Sequence, residues 1–336
     1  MNRIDKIMNL QMYTDGENNN ASIRIYSKQF KALLAAIFAV KSHFTDFFAG
    51  GLEVIDGISE KATAFSLKTS DVACAITTGT VSAAGVYTNG YNTGANVAFG
   101  TGTGSSSRFG ARTEVIYNDL DVPYTFNWTI HEGLDRHTVN NDFDQAIADR
   151  LELQAIAKVQ MMNVQHGAYI SSIAGKTIAA SAISEDGVKA IFNELSKYYV
   201  DINAVGTKIA KVRGDIYNAI VDSGLVTTAK GADVNINRNE VKMFKGFVLE
   251  EIPESEFTAT STTESTTKTT VSDVVYTYIQ NSAKAFLGIN TARTIESEDF
   301  DGVALQGAGK GGQYCPVDNR KAVAKVTYTT TETVSA

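Results

Sequence analysis

The chain is poor in the residues that announce special chemistry. Its 336 residues include two cysteines, three prolines, four histidines and one tryptophan. Cys74 and Cys315 lie far apart and in no metal-ligand spacing, so they read as free thiols and exclude a disulfide framework. His43, His131, His137 and His166 make no metal spacing either. His131–Glu132 opens like a zinc-protease motif, but position 135 is Asp, and His137 falls off the same helical face. No apolar run approaches the roughly 20 residues that span a bilayer. The most apolar stretch, Leu33 to Val40, is stopped by Lys41, and no export signal is visible. Thirty basic against 37 acidic residues leave a net charge of -7. That balance argues against a surface built to grip nucleic acid, which needs clustered Lys and Arg.

Catalytic motifs are missing in the same way. There is no G-x-S-x-G elbow, and no cysteine has a histidine beside it in sequence. Gly307, Gly309 and Gly312 fit the letter of the dinucleotide pattern, yet Pro316 is a poor continuation for a helix, so the stretch reads as a turn-rich loop. Lys310 is followed by Gly311, which breaks the Walker pattern. Glu250–Glu251 and the group Glu296, Glu298, Asp299 and Asp301 read as solvated surface. The expectation is a non-enzyme with no cofactor, no metal and no membrane partner.

What is present is an order of elements. Residues 1–26 carry scattered apolar anchors around Asp15–Asn20 and read as an arm without a core of its own. From Ser27 the apolar residues Phe30, Leu33, Leu34, Ile37, Phe38, Phe44 and Phe48 recur at helical spacing, with Gly50–Gly51 as a stop. Strand character follows: Ala64–Ile76 runs extended, a Gly-, Ser- and Asn-rich stretch leads to Gly110, and Val115 to Ile130 alternate on the way back. Two long strands with such a tip make a hairpin too poor in apolar surface to fold alone, so it needs something to lie on.

Next comes a spine helix. Asn141 is the expected N-cap, and Phe143, Ala146, Ile147, Leu151, Gln154, Ala157, Met161 and Val164 mark one face. Some 30 residues make it about 45 Å long. A mixed region follows. Ser184 caps a helix with Val188, Ile191, Leu195 and Tyr198 on its apolar face, Ile209–Val212 and Phe247–Ile252 are strands, and Asp215 opens a short helix. Thr258–Thr270 is nearly all Ser and Thr and reads as an exposed, loosely ordered loop. Val274–Ile279, Ala285–Ile289 and Val323–Tyr328 are further strands.

This order, with the segments TFNWTIHEGLDRHTVNNDFDQAIADRLELQA (125–155) and SEDFDGVALQGAGKGGQYCPVDNRKAVAKV (297–326), resembles the major capsid proteins of tailed bacteriophages of Gram-positive hosts. The resemblance implies an α+β chain with the Hong Kong 97-type (Johnson) fold. It divides the chain into an N-terminal arm and helix (1–50), an extended-loop hairpin (51–138), a peripheral domain with the spine helix (139–183), an axial domain (184–284) and C-terminal peripheral strands (285–336). It further implies an icosahedral virion head of hexamers and pentamers, built in the host bacterial cytoplasm around double-stranded DNA with a portal protein. The short leader leaves no room for a fused scaffolding domain, so the expectation is no cleaved propiece and a separate scaffolding protein or none. Hairpin residues expected to touch neighbouring subunits are Lys61, Lys68, Tyr87, Tyr91, Arg108, Phe109 and Arg112. Residues 79–110 contain no lysine, so the type member's lysine-to-asparagine cross-link has no donor at the tip. A tail-tube subunit or another virion protein, or an extracellular β-rich adhesin, are the rival readings.

Overall fold

The computed structural model describes residues 40–54, 63–70, 74, 76–83, 87–88, 114–139, 142–222, 233–235, 240–264, 266–297 and 299–333. The chain divides into two compact units, Ser59–Pro123 and everything else.

The larger unit is built on two sheets. In sequence its strands are β1 (Phe48–Val54), β6 (Phe126–Asp135), β7 (Lys176–Ala180), β8 (Lys208–Val212), β9 (Asp233–Asn235), β10 (Glu240–Phe244), β11 (Phe247–Glu251), β12 (Ala259–Glu264), β13 (Thr267–Ile279), β14 (Ala283–Glu296), β15 (Gly302–Tyr314) and β16 (Ala324–Thr333). The eight-stranded sheet has the order β7-β16-β13-β8-β11-β10-β9, with β12 pairing the first half of β13. The four-stranded sheet has the order β1-β14-β15-β6. Helix α1 is Phe143–Ile173, α2 is Glu185–Asp201 and α3 is Gly214–Asp222.

Alternation along the central strands assigns the two faces of the larger sheet, because successive side chains point to opposite sides. Ala210, Val212 and Val275 join α2 and α3 in one core, with Val188, Ile191, Phe192, Leu195 and Tyr199 of α2 all buried. Each such side chain contributes about 1.5–3 kcal/mol relative to exposure. Ile209, Tyr276 and Tyr278 face a second core with Phe44, Phe47, Phe48 and α1 residues Ile170 and Ile173. Around these strands the sheet is thus covered on both faces, and β8 and the second half of β13 are nearly continuous in buried residues.

The ends of α2 follow from local chemistry. Ser184 is its N-cap, its hydroxyl accepting from Gly187 N–H, with Glu185 and Asp186 in the first turn favouring the positive dipole end. For α1 the cap is Asp142, not Asn141, and its carboxylate accepts from Gln145 N–H. Asp142 sits at φ 38°, a left-handed conformation that Asp tolerates better than most residues.

The structure departs from the sequence expectations at several places. Helical spacing does not carry through to Phe48: residues 45–47 form a turn and β1 begins at Phe48, passing through Gly50 and Gly51. The earlier part of that stretch lies outside the described residues. The strand returning from the hairpin is not continuous to Ile130. It breaks at Tyr124–Thr125, and β6 pairs with β15 instead of extending the hairpin, just as β1 pairs with β14. The hairpin unit is therefore narrower than 51–138. Residues 285–336 do not form one set either, since β16 lies between β7 and β13 in the larger sheet. Gly307, Gly309 and Gly312 lie inside β15, a strand and not a turn-rich loop. The reason is packing: a Cβ on Gly309 would lie 2.4 Å from the Trp128 ring, and one on Gly311 2.5 Å from Phe126. The glycines are the bed on which the β6 aromatics lie. The Ser/Thr tract is a β-hairpin and not a loop, because β-branched threonines suit paired strands even without an apolar face.

Candidate assembly surfaces

In the unit Ser59–Pro123, β2 (Thr63–Thr69) pairs antiparallel with β5 (Asn118–Pro123), and the short β3 (Thr80–Val81) with β4 (Tyr87–Thr88). Among its described residues Val122 is the one buried large hydrophobic residue, while Ile76, Val115, Ile116, Tyr117 and Leu120 are exposed, Ile76 at 85%. Two-stranded sheets with so little burial are marginal in water. Of the expected contact residues, Lys68 lies on β2 with its side chain in solvent, 3.1 Å from its directly paired neighbour Asp119. Tyr87 lies on β4 opposite Val81. Lys61, Tyr91, Arg108, Phe109 and Arg112 fall outside the described residues.

On the larger unit, α1 presents two faces. Its buried face lies toward the C-terminal end: Met162, Asn163, His166, Gly167, Ile170, Ser171 and Ile173. The stripe expected from spacing is instead partly open, with Leu151 and Val164 each 40% exposed. Polar residues occupy the buried face because the neighbouring segment needs partners. Asn163 Nδ2 donates to Lys41 O and to Glu256 Oε1, both at 2.9 Å, and Asn163 Oδ1 accepts from His43 N–H. Gly167 is where Glu256 approaches: a Cβ there would meet the Glu256 carbonyl oxygen at 2.1 Å. His166 Nδ1 accepts from Gln313 Nε2 at 3.1 Å, and burial pushes its imidazole down to about 4.

Residues 41–48 are tied to the larger sheet by a cluster of charges that sequence reading missed. The Lys211 side chain is wholly buried, and its ammonium lies 2.8 Å from Asp46 Oδ2 and 2.5 Å from Glu250 Oε2. Asp46 also accepts from Tyr278 Oη at 2.7 Å, and Glu250 Oε1 accepts from Lys41 Nζ at 2.8 Å and contacts His43 Nδ1 at 3.0 Å. Burial works to raise the Glu250 carboxyl, but hydrogen bonds from Lys211 and Lys41 outweigh it and hold the group at about 2. Glu256 goes the other way: burial raises it, and its Oε2 is buried without a hydrogen-bond partner. Glu250 is therefore not the solvated surface carboxylate expected from sequence. The available signal was Lys211 itself, a lysine at a core-facing position of the strand Lys-Ile-Ala-Lys-Val.

Cys315 is buried and Cys74 exposed, both as free thiols. Among the described residues no three His, Cys, Asp or Glu groups are placed to hold a metal, and no helix is long and apolar enough to cross a membrane.

No protein-family model matches the chain, and no curated protein matches it in sequence. Solved structures do match in fold. The asymmetric unit of the bacteriophage PhiM1 mature capsid aligns with a TM-score of 0.58 at 11% identity, covering 90% of this chain and 91% of that one. A Mycobacterium phage Che8 structure aligns at 0.54 and 12% identity, covering 89% and 96%. The capsid structure of the Cyanophage P-SCSP1u aligns at 0.52 and 10% identity, covering 90% and 94%. The fold class is thereby set: a mixed α/β chain of the tailed-phage capsid type, the Hong Kong 97-type fold. The likeness extends over nearly the whole chain and not over a shared sheet alone.

Proposed function

We propose that this chain is a structural major capsid protein, copies of which assemble as hexamers and pentamers into the icosahedral head of a tailed phage. The observation that carries the reading is the unit Ser59–Pro123, whose described residues leave Ile76, Val115, Ile116, Tyr117 and Leu120 in solvent on a chain with a capsid-type fold. An exposed set of large apolar side chains, Leu120 on β5 and the others on the segments flanking the thin strands, marks a surface meant to be covered. A neighbouring copy supplies the cover, and the half-open stripe of α1 with Leu151 and Val164 is the matching apolar surface. In this reading the four-stranded sheet and α1 are the peripheral domain, and the larger sheet with α2 and α3 the axial domain. The chain does no catalysis. A scaffolding protein during assembly, and a portal protein and packaged double-stranded DNA in the virion, are its partners, with assembly in the host bacterial cytoplasm.

Electron microscopy of the purified chain tests this directly: closed shells are expected, and tubes or persistent monomers would refute it. The double variant Ile116→Ser, Tyr117→Ser should unfold at the same temperature as the parent yet lose most shells. Normal particles from it would remove the docking role of this unit.

A further inference from the structure

The Thr-rich hairpin is the surface that the proposed function leaves unused. Here β12, the first half of β13 and the end of β16 form a three-stranded ribbon. Register places Thr260, Val271 and Thr329 in one row, Thr262, Thr269 and Thr331 in the next, and Glu264, Thr267 and Thr333 in a third, all on one face. Ser261, Thr270 and Thr330 make a row on the other face, where Ser261 and Thr270 hydroxyls bond at 2.9 Å. Every residue of β12 is exposed, as are residues 329–333 of β16, and Val271 is itself 40% exposed. The ribbon therefore has no core on either face.

Such a ribbon is held by backbone pairing, and among the described residues its two outer edges carry N–H and C=O groups without a strand partner. Among the described residues, β12 pairs β13 alone, and residues 329–333 of β16 pair β13 alone. Natural sheets blunt open edges with proline, lysine or bulges. Neither edge has proline, lysine or a bulge, and each carries a single glutamate: β12 reads Ala-Thr-Ser-Thr-Thr-Glu and the end of β16 Thr-Thr-Thr-Glu-Thr. The two edges are also different surfaces of the same ribbon, and β12 and β16 run in the same direction because both are antiparallel to β13.

We propose that the β12 edge of one copy pairs in parallel with the β16 edge of a second copy, so that ribbons join head to tail around a ring of subunits. The inference rests on the capsid reading above, which brings many copies together. A contact between unlike edges closes into a ring when the rotation permits, which an isologous contact does not do. Charge agrees with this pairing. In row register the junction sets Glu332 beside Thr263 and Thr333 beside Glu264, so no like charges meet, and Lys268 flanks Glu332 from within its own copy. The edge is short, so it adds to other contacts in the assembly instead of making a dimer alone.

Disulfide trapping tests the pairing. Within one copy Thr262 and Thr331 stand on the same face two strands apart, about 9.6 Å at about 4.8 Å per strand. That exceeds the roughly 7 Å limit for a disulfide, whereas neighbours across the junction lie within it. In a Cys74→Ser background, each of Thr260→Cys and Thr262→Cys is combined with each of Thr329→Cys and Thr331→Cys, and assembled shells are oxidised with diamide. At least one combination should give a non-reducing ladder of multimers, while the single variants stay monomeric. Shells with no ladder in any combination overturn the edge pairing and leave the capsid reading standing. Dimers from Thr262→Cys alone would show like edges meeting and also overturn it. Failure of the Cys74→Ser parent to form shells strikes the capsid reading, and this inference falls with it. As a second readout, Thr262→Lys should lower particle yield about tenfold by blocking the edge while leaving the subunit's unfolding midpoint unchanged; unchanged yield would count against the pairing.

Discussion

Replacing Lys211 with methionine tests the buried charge cluster most severely. Methionine keeps the volume and the apolar stem but removes the ammonium, leaving Asp46 and Glu250 facing each other across the site. Breaking a buried pair by removing one partner typically costs about 3–5 kcal/mol. A second route gives a similar size. Glu250 falls from its ordinary 4.5 to about 2, a change worth roughly 3 kcal/mol, reduced to about 2 kcal/mol for a side chain that water partly screens. The sign follows from linkage. A depressed carboxyl stabilises fully above pH 4.5, and that stabilisation is lost as pH falls toward 2. The wild-type chain should therefore lose about 2 kcal/mol across that window, and Lys211→Met should lose it already at neutral pH, with a flattened acid slope. Chemical unfolding of the dilute subunit between pH 2 and 7 measures both, with Glu250→Gln as the variant that removes the titration while sparing Lys211. A Lys211→Met chain within about 0.5 kcal/mol of the parent, or one with an unchanged acid slope, would refute the account.

Other expectations follow from single features. His166 is buried and neutral with its imidazole at about 4, so unfolding takes up a proton between pH 6.5 and 4 and stability falls by about 3 kcal/mol as pH drops through that window; His166→Gln should abolish that part of the pH dependence in denaturant titrations. Gly309→Ala drives a methyl into the Trp128 ring and should cost about 1–3 kcal/mol, with Trp128→Leu relieving part of the loss. Boiled mature particles should run as one monomer band in detergent, since residues 79–110 contain no lysine; a ladder that survives reductant would contradict this.

Much of the fold was legible where sequence and burial agree. Ser184 with Val188, Ile191 and Leu195 gives α2 its cap and its face, and Ile209–Val212 and Phe247–Ile252 are strands with small shifts at their ends. Spacing misled where polar groups are buried for a purpose. The buried face of α1 carries Asn163, His166 and Gly167, chosen for bonds and close approach, so of the visible stripe Ala146 is buried while Leu151 and Val164 are exposed. Phe44 and Phe48 keep helical spacing but sit in a turn and a strand, because aromatic side chains fill the second core from either backbone. The proposed assembly surface was legible as a need and less so as residues. A hairpin without a core follows from composition, whereas exposed Ile116 and Tyr117 are visible only once β5 is seen to start at Asn118.

The strand pairing also constrains how the chain can come to be. In the larger sheet β16 lies between β13 and β7, pairing Ala324 with Lys176, and in the smaller sheet Phe48 of β1 meets Ala283 of β14. Both sheets are closed by partners more than a hundred positions apart, so neither can be completed by any short stretch of polypeptide. Closing such long loops costs entropy before any pairing is gained, which makes folding slow and leaves strand edges open meanwhile. A nascent chain passes through a stage rich in unpaired edges, which ties the yield of sound subunits to the rate at which distant segments find each other.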